Sequence, residues 1–293
     1  MQIPTSQKLL DGNSSFSLKI INEDGIVFVR KSSNNQEDSL RLCRQFLKQK
    51  NFRPFFNIDT SSIISTGYEN NNFFFDMEFI RSTDCTSFFQ VSSKKQIDFF
   101  IESIIEFIEF GLSKSVTTTF DEKIMFHKSE QVFMNAKKNV FYTDKELIML
   151  YEKVVSMLDN TQFSCKLPLG PCHGDLTLSN ILIKDVQKRI CLIDFLDSFL
   201  ETPLQDIVKI RQDTHFFWSK LFYNKAFEDQ MRLQVVLEYI DKKINQHFVR
   251  YDFYKTYYTV FQVLNFFRLI PYTKSKRTKK FIMKNLHYLL EIP

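Results

Sequence analysis

Glycine, proline and tryptophan are scarce in this chain of 293 residues, which contains 6, 7 and 1 of them respectively. With so few glycines, no stretch of the sequence forms a glycine-rich phosphate loop. The five cysteines are scattered, and their spacing fits neither a zinc site nor a disulfide framework. The sequence therefore argues against zinc-binding modules and disulfide-stabilised scaffolds, and it favours a protein whose thiols are reduced.

Charge and hydropathy disfavour two further classes of protein. A net charge of +5 is too small to indicate a nucleic-acid-binding surface. The basic run 274–280 is interpreted as a solvated loop before the last helix, with a polyanionic partner as the open alternative. The aromatic segment 253–270 is interrupted by charged and amide residues, which indicates a core helix and not a membrane span. Since no secretory signal is visible, we expect a cytoplasmic protein without membrane or nucleic-acid partners, and the oligomeric state stays open.

The most informative segment is 173–183, which reads His-Gly-Asp-Leu-Thr-Leu-Ser-Asn-Ile-Leu-Ile and is followed, after a polar turn, by Leu-Ile-Asp. It places the carboxylate of Asp175 and the amide of Asn180 five residues apart, with the carboxylate of Asp194 fourteen residues further on. Short apolar runs flank the turn, as expected of two paired strands. Such a hairpin returns Asn180 and Asp194 to the same end, so the pattern predicts three oxygen-bearing side chains close together.

Side chains of this kind suit phosphoryl transfer from a nucleoside triphosphate. A base must orient the attacking hydroxyl, and hard oxygen ligands must hold Mg²⁺ against the phosphates. The spacing matches the catalytic loop and the second metal-binding Asp of kinases. The wording His-Gly-Asp and Ile-Asp-Phe resembles the aminoglycoside phosphotransferase and choline kinase-like family of small-molecule kinases. The resemblance implies ATP or another nucleoside triphosphate and Mg²⁺ as cofactors, with Asp175 as the base. It also implies Asn180 and Asp194 as Mg²⁺ ligands and His173 as a support of the loop.

The N-terminal region has the pattern of a nucleotide-binding lobe. Strand-like runs at 15–21 and 26–31 surround an Asn-Glu-Asp-Gly turn, which predicts a hairpin. Lys31 closes the second run, where kinases carry the lysine that contacts the α- and β-phosphates; the alternative is an ordinary solvated lysine. In the turn before the first run, the hydroxyls of Ser14 and Ser15 and the backbone amides are candidate phosphate donors in place of glycines.

The residue that pairs with Lys31 is not determined by the sequence. Within the predicted helix 36–50, Glu37 and Asp38 are too close to Lys31 in the chain to reach back easily. At the more usual distance stands Gln45, which is not an acid. This departure from the kinase pattern keeps open a second function, a nucleotide-binding pseudokinase or scaffold.

A second strand pair, at 63–68 and 72–79, precedes the predicted helical region. Its end resembles the segment that joins the two lobes in this family and holds the adenine edge. By that resemblance Met77 is a candidate gatekeeper, and Glu78 and Ile80 supply main-chain contacts to the nucleotide. An ordinary edge strand explains the same hydrophobicity.

Beyond residue 81 the apolar spacing becomes helical. It predicts helices at about 94–111, 143–158, 204–217, 227–248, 253–269 and from 278, the first ended by Gly111 and the second opened by a capping box. The order of elements indicates an α+β, bilobal protein kinase-like fold. A small mixed-sheet lobe is expected at 1–80 and a mainly helical lobe, with the catalytic loop and acceptor site, at 81–293.

Acidic residues after the motif are candidates for acceptor binding. Asp197 and Glu201 are expected to face the acceptor, whereas Asp206 and Arg211 are expected to anchor a helix to the catalytic loop by an ion pair. The sequence of residues 192–203 also resembles uncharacterised phosphotransferases among bacterial sugar and surface-polysaccharide enzymes.

The expected function is therefore transfer of the γ-phosphate of ATP to a hydroxyl of a sugar, polyol, amino alcohol or nucleotide-sugar-like acceptor. A protein kinase is less favoured, because only eight residues separate Asp194 from Pro203 and leave no activation segment.

Overall fold

The computed structural model describes residues 6–10, 16–184 and 189–291, and side chains are described from residue 16 onward. The chain divides into two compact units. The first consists of Met1–Ser92 and Leu178–Asp197, and the second of Ser93–Thr177 and Ser198–Pro293. The predicted hairpin thus groups with the N-terminal segment, while the predicted lobe boundaries at residues 80 and 81 stay a prediction.

The described residues form eleven strands and ten α-helices. The strands are β1 (Ser6–Leu10), β2 (Ser17–Glu23), β3 (Ile26–Ser32), β4 (Ile58–Thr60), β5 (Ile63–Glu69), β6 (Asn72–Glu78), β7 (Ser82–Asp84), β8 (Val116–Thr118), β9 (Leu167–Leu169), β10 (Ile181–Lys184) and β11 (Ile190–Leu192). The helices are α1 (Gln36–Asn51), α2 (Cys85–Val91), α3 (Lys94–Ser113), α4 (Lys123–Ala136), α5 (Asp144–Asn160), α6 (Pro203–Thr214), α7 (Trp218–Phe222), α8 (Phe227–Phe248), α9 (Asp252–Phe267) and α10 (Lys276–Leu290).

The first unit contains two sheets. A five-stranded antiparallel sheet has the strand order β1-β2-β3-β6-β5, and a four-stranded sheet has the order β4-β11-β10-β7. The predicted turn between β2 and β3 places Asp24 and Gly25 at φ 50° and 84°. Positive φ at both central residues matches the right-handed twist of a tight hairpin, which explains the Asp-Gly pair.

Helix α1 covers the five-stranded sheet with one apolar face. The side chain of Asn35 accepts a hydrogen bond from the amide of Asp38 and so caps the first turn. Leu42 and Phe46 are buried against Phe73 and Phe75 of β6. This packing fixes the rotation of α1 relative to the sheet, and with it the direction in which the remaining helix side chains point.

The second unit is built from eight helices and the two-stranded sheet β8-β9 among the residues described. Two of the helices begin with capping boxes, in which Ser93 and Thr143 exchange hydrogen bonds with Gln96 and Glu146. Helix α6 lies at the centre, packs against α3, α8 and α9, and is buried along its whole length. Within the described residues, no helix is long and apolar enough to cross a membrane.

Gly111 has a different role from the predicted helix stop. Helix α3 continues to Ser113, so the prediction that Gly111 ends the helix is wrong. A Cβ atom at this position would lie 2.8 Å from the carbonyl oxygen of Pro171 and 3.1 Å from the ring of Pro203. The glycine is required by close packing against the segment before the His-Gly-Asp motif and against the first turn of α6.

The basic run is also placed differently from its prediction. Residues 276–280 form the first turns of α10, and Ser275 is the N-cap whose side chain accepts from the Thr278 amide. The interpretation of this run as a loop is therefore wrong beyond Ser275. An N-cap serine three residues before a threonine was the available signal.

Arg211 does not pair with Asp206, and the predicted ion pair is wrong. The Arg211 guanidinium makes a bidentate bond to Asp241 on α8, with Nε–Oδ1 at 2.7 Å and Nη2–Oδ2 at 3.0 Å. It also donates to Asn245 and Tyr254 and lies 4.5 Å from the ring centre of Tyr258. Because these partners come from α8 and α9, the arginine ties three helices together within the second unit.

The replacement Asp241→Ala is expected to lower the free energy of unfolding by on the order of 3 kcal/mol, because it leaves the buried Arg211 charge without its carboxylate. Chemical denaturation of the variant measures this loss. The control is Glu238→Ala, one turn away on α8 and exposed, which is expected to stay within about 0.5 kcal/mol of the parent. Equal stability of the two variants would contradict a central role for the pair.

Candidate active site

Lys31 is the centre of a buried polar cluster in the first unit. Its ammonium donates to Oε1 of Gln45 on α1 at 2.8 Å and to Oδ1 of Asp194. The lysine is only 3 % exposed, and its Nζ lies 5.0 Å from the centre of the Phe16 ring. An ammonium this deeply buried requires hydrogen-bonding partners. The partner that the sequence left open is therefore Gln45, at the position where kinases place an acid.

Three elements converge to build this cluster. Lys31 stands on β3, opposite Phe75 of β6, in the centre of the five-stranded sheet. Helix α1 presents Gln45 on the turn next to its buried Leu42 and Phe46. The third element is the β10-β11 hairpin, whose end carries Asp194.

Asn180 and Asp194 lie at the same end of that hairpin, as the sequence predicted. Ile181 pairs with Leu192 in the antiparallel register, and the amide of Ile193 donates to the carbonyl of Asn180 at 3.0 Å. Asn180 is buried at 8 % exposure at the end of a short 3₁₀ turn. Asp194 has a left-handed backbone, with φ at 61°, a conformation that costs free energy and recurs at functional sites.

The donor set at this hairpin end has the chemistry of a magnesium site. Mg²⁺ prefers oxygen ligands and is usually held by one or two carboxylates together with substrate phosphates. Asp194 supplies a carboxylate that is 39 % exposed, with Lys31 on Oδ1 and no bond to Oδ2 from the described residues. Asn180 supplies an amide. These two side chains fit the ion implied by the resemblance.

The segment that carries Asp175 is fixed within the second unit. Gly174 has φ at 86°, which lets the chain turn sharply before Asp175. The carboxylate of Asp206 accepts from the amides of His173 at 2.7 Å and Gly174 at 2.8 Å. His173 is fully buried, and its Nδ1 accepts from the Asp175 amide at 3.2 Å. Asp206 therefore does anchor α6 to this loop, but through backbone amides.

Lys209 is a site residue that the sequence interpretation missed. Its Nζ lies 2.9 Å from Oδ1 of Asp175, and its side chain is 5 % exposed against 27 % for Asp175. Lys209 follows Asp206 by three residues on α6, so both face the same side of the helix. A lysine flanked by Val208 and Ile210 was the available signal, since a buried lysine needs a partner.

Charges around Asp175 control its protonation. Burial alone raises the pKa of the Asp175 carboxyl, but the charge of Lys209, its hydrogen bond and the charge of Arg268 outweigh burial and hold that pKa below its usual range. Burial also lowers the pKa of Lys209, against the opposing effect of the Asp175 charge. Asp175 is therefore ionised at neutral pH and able to accept a hydrogen bond from a hydroxyl.

Strand β6 ends at Glu78, among the residues predicted to contact the nucleotide. Met77 is buried in the core between β6 and α1, 3.8 Å from Nε2 of Gln49. The amide of Glu78 donates to the carbonyl of Ser62 at 2.9 Å, and the carbonyl of Glu78 accepts from the hydroxyl of Ser61 at 2.7 Å. The amide of Ile80 has no partner among the described residues. Ser14 and Ser15 lie outside the described residues.

Asp197 and Glu201 are occupied by contacts within their own units. Asp197 forms an ion pair with Arg44 of α1 at 2.6 Å. The two carboxylate oxygens of Glu201 accept from the Ser198 amide at 2.8 Å and from the Cys172 thiol at 3.4 Å. These contacts favour structural roles over the predicted acceptor contacts.

Comparison with known proteins agrees with the sequence and the fold. Residues 138–230 match the family model described as "APH: Phosphotransferase enzyme family", a stretch that includes the catalytic-loop motif and α6. No protein of curated function matches the chain. The family match confirms the resemblance drawn from the motif, and it bears out the expected class of enzyme, a phosphotransferase of the small-molecule kinase kind.

Solved structures of small-molecule kinases share the fold. A ternary complex of an aminoglycoside phosphotransferase APH(4)-Ia mutant with ADP and hygromycin B is similar over 97 % of this chain and 93 % of its own, with 8 % identity and a TM-score of 0.59. A putative fructosamine-3-kinase from Haemophilus somnus covers 98 % and 92 %, with 13 % identity and a TM-score of 0.54. Plasmodium vivax ethanolamine kinase covers 97 % and 82 %, with 12 % identity and a TM-score of 0.51. The predicted α+β kinase-like fold is confirmed.

The replacement Gln45→Leu is expected to weaken nucleotide binding about tenfold, because Lys31 loses a buried hydrogen bond and the cation is less firmly held. Calorimetric titration of ATP with Mg²⁺ measures the effect. In the matched variant Gln45→Glu a carboxylate replaces the amide at nearly the same volume and keeps a hydrogen-bond acceptor for Lys31, so affinity should fall less than in Gln45→Leu. Unchanged affinity in Gln45→Leu would show that Asp194 alone holds the lysine.

The replacement Lys209→Met is expected to raise the pKa of Asp175, because it removes the positive charge nearest to the carboxylate. Since the parent pKa lies below the unfolded value, ionised Asp175 stabilises the fold above that value and the contribution disappears as pH falls through the folded pKa. In the variant this loss should therefore begin at higher pH. Carboxyl ¹³C titration by NMR measures the shift.

Lys153→Met is the control for this measurement, because Lys153 is an exposed lysine on α5 and the same charge is removed. It should leave the titration of Asp175 unchanged. An equal shift in both variants would mean that overall charge, and not the 2.9 Å contact, sets the Asp175 pKa.

Proposed function

We propose that this protein transfers the γ-phosphate of ATP to a hydroxyl group of a small molecule. The observation that carries the proposal is the buried Lys31 held by Gln45 and Asp194, since a lysine fixed beside a magnesium-type carboxylate is the phosphate-binding arrangement of kinases. In a purely structural role, burial of an ammonium to 3 % exposure would cost desolvation free energy that an apolar side chain avoids.

Each candidate residue has a defined task in this proposal. Lys31 contacts the α- and β-phosphates, and Ser14 and Ser15 add hydroxyl and amide donors. Asn180 and Asp194 hold Mg²⁺, which neutralises phosphate charge when bound. The strand end contributes Met77 as gatekeeper, with the Glu78 carbonyl and the Ile80 amide as main-chain contacts to the adenine.

Asp175 orients the acceptor hydroxyl and accepts its proton. Its lowered pKa keeps it ionised and makes it a weak base, which suits a loose transition state in which positioning matters more than proton abstraction. Lys209 holds the carboxylate in one orientation. Catalysis then consists of aligning the hydroxyl and balancing charge on the phosphates.

The charges near Asp175 narrow the choice of acceptor. Arg268 and Lys209 both contribute positive charge there, while Asp197 and Glu201 are used in other contacts. Similar folds bind hygromycin B or are named for ethanolamine and fructosamine, so the fold alone accepts varied alcohols. The local charge favours a neutral or anionic acceptor, such as a sugar, a polyol or a nucleotide sugar, over a cationic amino alcohol.

A nucleotide-binding pseudokinase is the second candidate. It was favoured by the missing acid opposite Lys31, but Gln45 supplies an uncharged partner at 2.8 Å. The two candidates differ in whether a bound nucleotide is turned over, so they are separated by the experiments on Asp194 and Asp175.

The variant Asp194→Asn is expected to lose Mg²⁺-dependent ATP binding, because the amide cannot provide the carboxylate that the ion requires. Isothermal titration of ATP with and without Mg²⁺ into the parent and the variant measures this. The control is Asp159→Asn, an exposed aspartate at the end of α5. Binding that ignores both Mg²⁺ and Asp194 would contradict the proposed site.

The variant Asp175→Asn is expected to lower turnover by at least about a hundredfold while ATP affinity changes little, because the base acts on the acceptor and not on the nucleotide. Phosphate transfer from labelled ATP to a panel of sugars and polyols measures turnover, and titration measures affinity. Full activity in the variant would remove Asp175 from its proposed task. A parent protein that binds ATP but phosphorylates none of the panel would favour the pseudokinase.

A further inference from the structure

A cavity of about 460 Å³ lies in the second unit, among α7, α10 and the ends of α6 and α8. None of the residues that line it belongs to the proposed catalytic set. Three cations line the cavity, Lys220, Arg277 and Lys284, and no acidic residue does. Phosphotransfer as proposed assigns no task to the cations of this cavity.

The described residues provide no carboxylate partner for the three cations of this cavity. Lys220 donates to the neutral amide of Gln234, at 2.5 Å. Arg277 and Lys284 form no ion pair within the described part of the chain. By contrast Lys279, on the same helix, is paired with Glu146 at 2.7 Å. Arg277 and Lys284 are exposed and Lys220 is partly buried, so the cavity presents positive charge to solvent, and a cleft lined by one sign of charge attracts an anionic ligand.

Two further features indicate the shape and chemistry of a ligand. Asn285 lines the cavity, is 9 % exposed and has an Nδ2 donor without a partner among the described residues. Aromatic rings of Phe216, Phe281 and Tyr288 form other parts of the wall. Rings of this kind stack on a planar base or on the apolar face of a sugar, while the cations take a phosphate group.

We propose that this cavity binds a phosphate monoester that carries a ring, either a sugar phosphate or a nucleoside monophosphate. The phosphate lies against Arg277, Lys284 and Lys220, and the ring lies against the aromatic wall. The proposed ligand gives two basic residues of α10, Arg277 and Lys284, an anionic partner.

The single tryptophan of the chain reports on this cavity. Trp218 on α7 packs on the lining residue Phe281, with ring centres 5.7 Å apart. Glucose 1-phosphate, UMP and inorganic phosphate are titrated separately into the full-length protein while Trp218 fluorescence is recorded. A saturable change with at least one of the two esters, at lower concentration than with inorganic phosphate, is expected. Which ester binds more tightly distinguishes the two sources of the phosphate.

Matched charge variants on α10 locate the binding. Arg277→Gln and Lys284→Gln are each expected to weaken the ester about tenfold, as for loss of a charge-assisted hydrogen bond. Lys280→Gln removes the same charge from an exposed position on α10 that does not line the cavity, and affinity should change less than about twofold.

Three results would overturn the proposal: no saturable change with either ester, equal weakening in Lys280→Gln and Lys284→Gln, or inorganic phosphate binding as tightly as both esters. A fluorescence change caused by UMP at the nucleotide site would be a fourth contrary result. The variant Lys31→Met detects that case, because Lys31→Met would then lose the fluorescence change while Arg277→Gln kept it. Failure of ATP binding in the parent leaves the outcome of these titrations unaffected, so the two proposals are tested separately.

Discussion

The first unit depends on the burial of a single ammonium group. Lys31 is almost inaccessible to water, so the fold must supply its hydrogen bonds, and it does so from two elements other than its own strand. The strand β3 carries the lysine, α1 carries Gln45, and the β10-β11 hairpin carries Asp194. An error in the packing of α1 or in the register of the hairpin would leave the cation unpaired. The polar cluster thereby selects one arrangement of elements whose apolar faces alone would tolerate several.

In the second unit, α6 likewise buries charged side chains that need partners. That helix is buried throughout, yet it contains Asp206, Lys209 and Arg211 within two turns. Each of these charges is directed to a different neighbour: Asp206 to the backbone of the catalytic-loop motif, Lys209 to Asp175, and Arg211 to Asp241. A buried charge with its own partner specifies orientation in a way that an apolar residue does not. Helix α6 therefore holds the loop with Asp175 at one end and ties α8 and α9 at the other.

Spacing along the chain predicted the parts of the site that depend on local structure. The proximity of Asn180 and Asp194 was predictable because a hairpin brings residues distant in sequence to the same end, and Lys31 was made a candidate by its position at a strand end. Contacts between distant segments were not predictable in this way. Lys209 gave only the weak signal of a lysine flanked by Val208 and Ile210, and the Arg211–Asp241 pair joins residues thirty positions apart. The role of Gly111 was missed because its close neighbours, Pro171 and Pro203, are remote in the sequence.

The replacement of the usual acid by Gln45 has a consequence for how Lys31 is held. An acid at that position would compete with the nucleotide phosphates for the ammonium charge, whereas a neutral amide offers one hydrogen bond and no net charge. Asp194 is then the one carboxylate bonded to Lys31 in the described residues. In the proposed mechanism Asp194 is a Mg²⁺ ligand, and Gln45 then fixes the direction of the lysine without adding negative charge beside the phosphates. Since the chain has too few glycines for a glycine-rich loop, the proposal gives Lys31 a larger share of the phosphate binding, with Gln45 as the substitute for the acid.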